Sequence, residues 1–248
     1  MAKVKLEICV DSLASLQAAK AGGADRIELC AALSEGGLTP SAGFIEAAIA
    51  TGMDIHVMIR PRGGDFVYSD EELDFMCADI AAVRHIGAAG VVFGATHDDG
   101  QLDVEAMKKL VAAANGLEVT LHRAIDLAPD IAQAMENAIE LGVNRILTSG
   151  GHRTAQAGIE NIAKLVKQAS NRIEIMPGSG VQPANAERIL AETGAKSIHA
   201  SCGAWKKSST GLVEAMGFTD GLGVRETESG TVAELKSRLQ QIAGGVHA

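Results

Sequence analysis

The 248-residue sequence has few aromatic residues, few basic residues and no long apolar run. Aromatic side chains make up 3% of the chain, with one Trp and one Tyr, which does not indicate a large aromatic surface for binding another protein. The 22 basic residues are outnumbered by 31 acidic ones, and the formal charge is -9. Because this charge repels polyanions on average, we exclude nucleic acid as a partner.

Membrane segments and disulfide patterns are also missing. No apolar run reaches the length that spans a bilayer, and the first ten residues lack the basic and apolar parts of a signal peptide. We therefore expect a cytoplasmic protein with no membrane partner. The four cysteines lie far apart and follow no local zinc-binding spacing, so we expect free thiols at Cys9, Cys30, Cys77 and Cys202.

What the sequence does contain is an alternation of short apolar runs with longer segments of helical spacing. The alternation recurs eight times, which favours a closed parallel barrel over an open doubly wound sheet. We predict one α/β domain over residues 1–248, a (β/α)8 TIM barrel, with a long loop, lid or oligomer contact at 203–230 and a C-terminal helix at 231–242. The predicted strands lie near 6–10, 26–30, 54–60, 90–93, 118–122, 145–148, 174–177 and 197–200.

Helix boundaries are marked by residues that suit capping positions. Candidate helix starts are Thr39 with Pro40, Ser69 with Glu72, Thr154 and Pro183. Glycines that follow a helical pattern and precede a strand are expected in the left-handed C-cap position, and these are Gly22, Gly52, Gly87, Gly142 and Gly194.

Five of the apolar runs carry polar side chains where a buried strand normally carries Val or Leu. These residues are Glu7, Glu28, His56, Arg60, His122 and His199. A buried charge without a partner is costly, so such side chains converge on each other or on a ligand. A satisfied core residue is the alternative at any single position, but the coincidence on five strands favours a site at the C-terminal mouth of the barrel.

Two carboxyl groups in one lumen favour acid/base chemistry, because their repulsion raises one pKa and leaves a proton donor beside an ionised base. We predict that Glu7 or Glu28 acts as the acid or base and that His122 and His199 belong to the same catalytic set. Arg123 and Arg60 would hold an anionic group. No lysine ends a predicted strand, which argues against a Schiff-base mechanism and leaves an isomerase, epimerase or lyase.

A glycine-rich turn and an arginine loop indicate an anion site. The turn follows the seventh strand, where barrels of this class bind phosphate, and the next loop contributes Ser201. The glycine-rich turn has the alternative interpretation of a tight turn without a ligand. The arginine loop has the alternative interpretation of a salt bridge from Arg62 to Asp65. The predicted anion-binding residues are Arg60, Arg62, Gly178, Ser179, Gly180 and Ser201.

Several motifs resemble the CutC family in both sequence and order, over about residues 4 to 205; they are EICVDS, GADRIELC, SEGGLTPS, MIRPRGGDFVYSD, VTLHRA, LTSGG and HASCGAW. The resemblance implies a TIM barrel and a cytoplasmic role in copper homeostasis, with thiol ligands near Cys30. Cu(I) prefers thiolate donors, so Cys9 and Cys30 are the predicted metal ligands. Their alternative role is core packing.

Two functions therefore stay open. The first is Cu(I) binding in copper homeostasis, and the second is a metabolic enzyme that performs acid/base chemistry on a small anionic, sugar-like or 2-oxo-acid-like substrate. Whether the chain is an enzyme is not decided by these patterns. Trp205, near the predicted mouth, is a candidate anchor for a homo-oligomer, either a dimer or a tetramer.

Overall fold

A computed structural model of the chain describes residues 4–207, 210–218 and 223–244. Eight parallel strands form the predicted (β/α)8 barrel with helices between them. The strands are β1 Lys5–Val10, β2 Arg26–Leu29, β3 Asp54–Met58, β4 Gly90–Phe93, β5 Glu118–Leu121, β6 Arg145–Thr148, β7 Glu174–Pro177 and β8 Ser197–Ala200. Three predicted strands are slightly too long, because Cys30, Arg60 and His122 lie just beyond β2, β3 and β5.

Strand pairing joins the beginning of the barrel to its end. Each strand from β1 to β6 pairs in parallel with the next, β8 pairs with β1, and β7 packs beside β8 across the remaining seam. In this register Glu7 lies opposite Arg26 on one side and opposite His199 on the other. Residues from the first, second and eighth strands therefore meet inside the barrel.

The helices of the barrel cover the outside of the sheet. They are α1 Leu13–Ala21, α2 Ala42–Ile49, α3 Asp70–Ile86, α4 Val104–Ala114, α5 Ile131–Glu140, α6 Ile159–Ala169 and α7 Pro183–Thr193. The predicted capping box of Ser69 and Glu72 is present, and Pro183 is the first residue of α7.

Two predicted helix starts are wrong. The N-cap of α2 is Ser41 rather than Thr39, because the Ser41 hydroxyl accepts the Phe44 N–H. Thr154 does not start α6, which begins at Ile159 after a turn in which the Thr154 hydroxyl accepts the Ala157 N–H.

Four of the five glycines predicted at helix C-termini have the left-handed conformation, and one does not. Gly87 and Gly194 are left-handed C-caps, and Gly52 and Gly142 have φ of +74° and +80° just past their helices. Gly22 is wrong, because its φ of -76° is right-handed and Gly23 makes the turn instead.

Alternation along each strand separates two environments. In β1 the side chains of Leu6, Ile8 and Val10 belong to the apolar core between sheet and helices, whereas Glu7 and Cys9 point into the barrel lumen. The same alternation buries polar residues of the other strands in the lumen. Among the described residues, none of the helices is both long and apolar enough to cross a bilayer.

The segment at 203–230 is more ordered than the predicted loop. It contains an antiparallel pair of strands, β9 Gly203–Lys206 and β10 Val224–Thr227, and a short helix, α8 Leu212–Ala215. Residues 208, 209 and 219–222 of this predicted loop lie outside the described residues. The C-terminal helix α9 spans Ser229–Gly244, so it begins two residues before the predicted start, and it packs against α1 and α7.

Candidate functional site

Three polar side chains in the lumen, Arg26, Glu7 and His199, are joined in that order by direct contacts. Glu7 accepts a hydrogen bond from Arg26 Nε through one carboxylate oxygen, and its other oxygen lies 2.7 Å from Nδ1 of His199. All three side chains are buried. A carboxylate between a guanidinium and an imidazole is a charge-balanced arrangement that a buried site tolerates.

The partners of Glu7 decide its protonation. Burial by itself would raise the pKa of Glu7, but the hydrogen bond with His199 and the charge of Arg26 outweigh burial and hold this pKa well below its usual range. Burial would lower the pKa of His199, yet the neighbouring Cys9, Glu28 and Glu7 raise it well above its usual value. Glu7 is therefore ionised, and His199 binds a proton readily.

Glu28 is the second buried carboxyl group of the lumen, and its environment differs from that of Glu7. Burial, together with the negative charge of Glu7, raises the pKa of Glu28 against the opposing charge of His199. One oxygen of Glu28 lies 3.8 Å from His199 Nε2, and the other has no hydrogen-bond partner among the described residues. The two carboxyl groups thus have opposite shifts, an arrangement typical of an acid beside an ionised base.

The predicted thiols lie beside this cluster. Ligand atoms of Cys9, Glu28 and His199 all lie within 4.8 Å of one another. The Cys30 thiol, which is completely buried, contacts Glu28 Oε2 at 3.7 Å, and burial with this carboxylate raises the pKa of Cys30 well above its usual value. The structure therefore groups Cys9 with Glu28 and His199, and Cys30 reaches the group through Glu28.

A pocket opens above the cluster at the C-terminal mouth of the barrel. It has a volume of about 450 Å³, and its wall includes Cys9, His199, Arg123, Ser179, Gly180 and Ser201. Gly178 lies against His199, where an added Cβ would be 3.2 Å from His199 Cβ. The Ser179 hydroxyl donates to the Arg153 carbonyl, so the loop offers backbone N–H groups to an anion more readily than it offers this hydroxyl.

Arg123 reaches this pocket from an ordered turn after β5. Its Nε donates to Asp126 Oδ2 at 2.8 Å, and its Nη2 donates to the Ser149 hydroxyl at 2.8 Å. Asp126 also accepts the backbone N–H groups of Ser149 and Gly151, which fixes the loop after β6. Arg123 is thus a positioned cation on the pocket wall, consistent with the predicted anion role.

The two arginines after β3 have different surroundings. Arg62 bonds to Asp65 and Glu72, so the salt bridge proposed as its alternative role is present, and neither Arg62 nor Arg60 is among the residues of the mouth pocket. Arg60 is buried, and its terminal nitrogens donate to the carbonyls of Glu35 and Gly64 at 2.7 Å. Binding of an anion by either arginine stays a prediction.

His122 directly follows β5, whereas His199 lies on β8, three strands further around the barrel. It is buried, its Nδ1 accepts the backbone N–H of Ala124 at 3.3 Å, and its ring centroid lies 4.7 Å from that of Phe66. Burial, reinforced by the charge of Arg60, lowers the pKa of His122 to about 3. The ring is therefore neutral at physiological pH.

Sequence patterns missed three polar residues that organise the site. Arg26 and Arg145 are buried at the starts of β2 and β6, where a charged residue resembles an exposed end of a strand. Arg145 bonds to Glu118 and Glu174 at 3.0 Å and helps to close the N-terminal end of the barrel. Asp126 was missed because an Asp in a turn is common, and only its several backbone donors reveal its role.

A second pocket, of about 660 Å³, lies at the N-terminal end of the barrel near Lys5, Arg172 and Glu174. It is larger than the mouth pocket but contains none of the predicted catalytic residues. Because barrels of this class place their chemistry at the C-terminal ends of the strands, the smaller mouth pocket is the candidate site.

Comparisons with known proteins agree with the motifs. The model of the CutC family matches residues 4–204. A CutC family protein from Agrobacterium fabrum is 51% identical over 235 residues, covering 94% of this chain and 93% of the relative. A second, from Rhizobium meliloti, is 44% identical over 239 residues and covers 96% and 97% of the two chains.

Solved structures show the same barrel. A CutC protein of Streptococcus agalactiae, named for copper homeostasis, is 37% identical with a TM-score of 0.77 and covers 80% of this chain and 98% of its own. An N-(5'-phosphoribosyl)anthranilate isomerase from Pyrococcus furiosus, at 13% identity and a TM-score of 0.58, covers 96% of this chain and 99% of its own and shows the fold alone. The family match and the identity of these relatives lead to one conclusion: the chain belongs to the CutC family.

Proposed function

We propose that this protein is an enzyme that moves a proton on a small anionic metabolite at the C-terminal mouth of the barrel. The observation that carries the proposal is the Glu7–His199–Glu28 cluster, in which one carboxyl group has a lowered pKa and the other a raised one. This difference suits proton transfer, because one carboxyl group can hold a proton while the other stays ionised.

Each residue has a distinct role in this proposal. His199 lines the pocket and touches both carboxyl groups, so it is the group that meets the substrate. Glu28 exchanges the proton with His199, and Glu7, held by Arg26, keeps the imidazole oriented and charged. Arg123 and the backbone of Gly180 hold the anionic end of the substrate, which is a phosphate or a carboxylate.

Solvent exchange tests this function without knowledge of the product. The protein is incubated in deuterated water with a panel of small sugar phosphates and 2-oxo acids, and loss of C–H signals is followed by proton NMR. We expect exchange with at least one compound, slowed by about 100-fold or more in Glu28→Gln. The control is Glu192→Gln, a surface residue paired with Arg188. Full exchange in both Glu7→Gln and Glu28→Gln would show that the acid/base proposal is wrong.

A second candidate function is Cu(I) binding in the cytoplasm as part of copper homeostasis. It is favoured by the donor group of Cys9, Glu28 and His199 and by the name of the S. agalactiae relative. The donors suit the ion in part, because Cu(I) prefers thiolate and imidazole over carboxylate. Binding would displace the protons of Cys9 and His199, and Cys30 would have to replace Glu28 as a ligand to supply a second thiolate.

Copper binding is tested by an anaerobic competition titration of Cu(I) against a chelator of known affinity. We expect one tight site in the reduced protein and its loss in the Cys9→Ser, Cys30→Ser double variant. The control is Cys77→Ser, since Cys77 is a free thiol on α3 and is neither part of the Cys9, Glu28 and His199 donor group nor in contact with it through Glu28, as Cys30 is. Equal affinity in the double variant and the control would contradict this function and leave the enzyme proposal untouched.

A further inference from the structure

Two hydrogen-bond donors on one side of the mouth have no partner. His122 Nε2 and Arg60 Nε each lack a hydrogen-bond partner among the described residues. The two residues are 5% and 4% exposed, so water does not readily satisfy these atoms. Buried donors are almost always paired, and an unpaired one at a functional site needs a reason.

The position of the proton on His122 follows from its backbone contact. Nδ1 accepts the Ala124 N–H, so this atom carries no proton. In a neutral imidazole the proton then lies on Nε2, which makes the unpaired atom a donor. The ring also packs closely against the backbone of Gly94, because a Cβ added at that glycine would lie only 2.7 Å from Nδ1. This contact helps to hold the ring in place. His122 therefore presents a fixed, neutral N–H.

Arg60 is a buried cation without an ion pair among the described residues. Its terminal nitrogens bond to the carbonyls of Glu35, Gly37 and Gly64. The nearby Asp65 pairs with Arg62 instead. A buried guanidinium that meets carbonyl dipoles but no carboxylate retains a net positive charge, which favours an anionic ligand.

The same aromatic ring contacts both donors. The Arg60 guanidinium carbon lies 4.8 Å from the Phe66 centroid, and the His122 ring lies 4.7 Å from it. Phe66 is itself tied to the barrel, because its carbonyl accepts the Thr96 N–H at 2.9 Å. The two donors thus pack against the same ring, which holds both side chains in fixed positions.

We propose that Arg60 and His122 together bind the 2-oxo acid group of the substrate, with the carboxylate at Arg60 and the 2-oxo oxygen at His122 Nε2, and that Arg123 and Gly180 hold a second anionic group at its other end. This inference rests on the proposed function and names its substrate class. In the reaction a C–H bond next to the carbonyl breaks, its proton passes to His199, whose own proton has moved to the Glu28 carboxylate, a C=C bond forms, and the carbonyl π electrons move to the oxygen. His122 donates to this enolate oxygen and does not lose its own proton.

The test uses the full chain and oxalate, a planar dianion that resembles the enolate of a 2-oxo acid. Imidazole nitrogens are observed by NMR in protein labelled with ¹⁵N-histidine, and His122 is assigned by its absence in His122→Phe. We expect the Nε2–H form to persist from pH 5 to 9 and its signal to shift when oxalate binds. A proton on Nδ1, or titration of His122 near pH 6.5, overturns the inference.

Affinity for oxalate is then measured by calorimetry. Loss of a hydrogen bond to a charged group costs about tenfold or more, so we expect at least that loss in Arg60→Met and His122→Phe. His122→Gln, which keeps an N–H, should recover part of the affinity. The control is His85→Phe, because His85 is exposed in the last turn of α3, on the outside of the barrel. Absent binding, or equal affinity in all variants, overturns the inference.

The outcomes separate this inference from the function on which it rests. Glu28→Gln keeps both donors, so it should bind oxalate like the native protein and yet lose deuterium exchange. Oxalate binding that depends on Arg60 and His122 without any exchange would support the binding site and contradict the acid/base function. Exchange of sugar phosphates without oxalate binding would support the function and overturn the substrate class.

Discussion

His199 Nδ1 lies 2.7 Å from Glu7 Oε1, although 192 residues separate the two along the chain. The contact exists because β8 pairs with β1 and places the two residues opposite each other. Arg26, on the neighbouring β2, bonds to the other oxygen of the same carboxylate. The candidate site is therefore built at the point where the barrel closes, and its electrostatics depend on complete folding.

Replacing Glu7 by Gln should destabilise the protein strongly. The substitution leaves Arg26 and His199 as buried charges without their shared counter-ion, which costs about 3–5 kcal/mol in comparable cases. Urea unfolding followed by circular dichroism measures the change. Glu192→Gln breaks only an exposed pair with Arg188 and should leave the free energy of unfolding almost unchanged. Equal loss in the two variants would show that Glu7 is not the anchor of the cluster.

Stability should fall as the pH decreases through the acid range, in part because of His122. Its pKa is about 3 in the folded protein, lowered by burial and by the charge of Arg60, whereas an unfolded histidine titrates near 6.5. The unfolded chain therefore binds more protons between these values, so stability is complete above pH 6.5 and is lost below it. Integrating from pH 6.5 to pH 4 gives about 3 kcal/mol for this one residue.

The comparison of His122→Phe with the native protein isolates this contribution. The variant should have a shallower pH dependence of the free energy of unfolding between pH 4 and pH 6.5. The matched control is His97→Phe, which removes an exposed histidine and should leave the slope unchanged. Parallel curves for His122→Phe and the native protein would contradict the burial of a neutral ring.

The fold and much of the lumen could be predicted because both depend on local patterns. Eight apolar runs separated by helical segments predict the barrel, and the structure confirms all eight strands within two residues at each end. A charged residue inside an apolar run is also a local signal, and the structure confirms that Glu7, Glu28, His122 and His199 are buried.

The partners in the lumen could not be predicted, because they depend on register and on contacts distant in sequence. Arg26 begins its strand, so alternation alone does not distinguish an exposed end from the salt bridge that it makes with Glu7. The contacts of Arg60 could not be predicted either, since the sequence does not show that its donors meet the carbonyls of Glu35 and Gly64. The direction of the side chains at the mouth depends on the loops, and loop conformation has the weakest signal in the sequence.

Gly178→Ala should damage the pocket without removing any polar group. An added Cβ would lie 2.4 Å from Leu147 Cδ1 and 3.2 Å from His199 Cβ, so the lumen must rearrange at a cost of about 1–3 kcal/mol. We also expect weaker binding of inorganic phosphate by NMR titration. The matched control is Gly43→Ala in α2, where a Cβ meets nothing within 4 Å and alanine should stabilise the helix by about 0.5–1 kcal/mol. Similar effects at both positions would contradict a tightly packed pocket wall.

The protein should form a homo-oligomer, a dimer or a tetramer, through the segment between β9 and β10. Trp205, Leu212, Met216, Phe218 and Val224 are each more than half exposed, which is unusual for large apolar side chains in one short segment. Covering them with the same segment of a second copy buries all five. Light scattering after size exclusion should give a multiple of the 25.6 kDa chain mass.

A Trp205→Arg, Phe218→Arg double variant should be monomeric with an unchanged barrel, because neither side chain is buried in it. Phe75→Arg, which changes an equally exposed residue on α3, should keep the native mass. A monomeric native protein would show that this surface is not a self-contact.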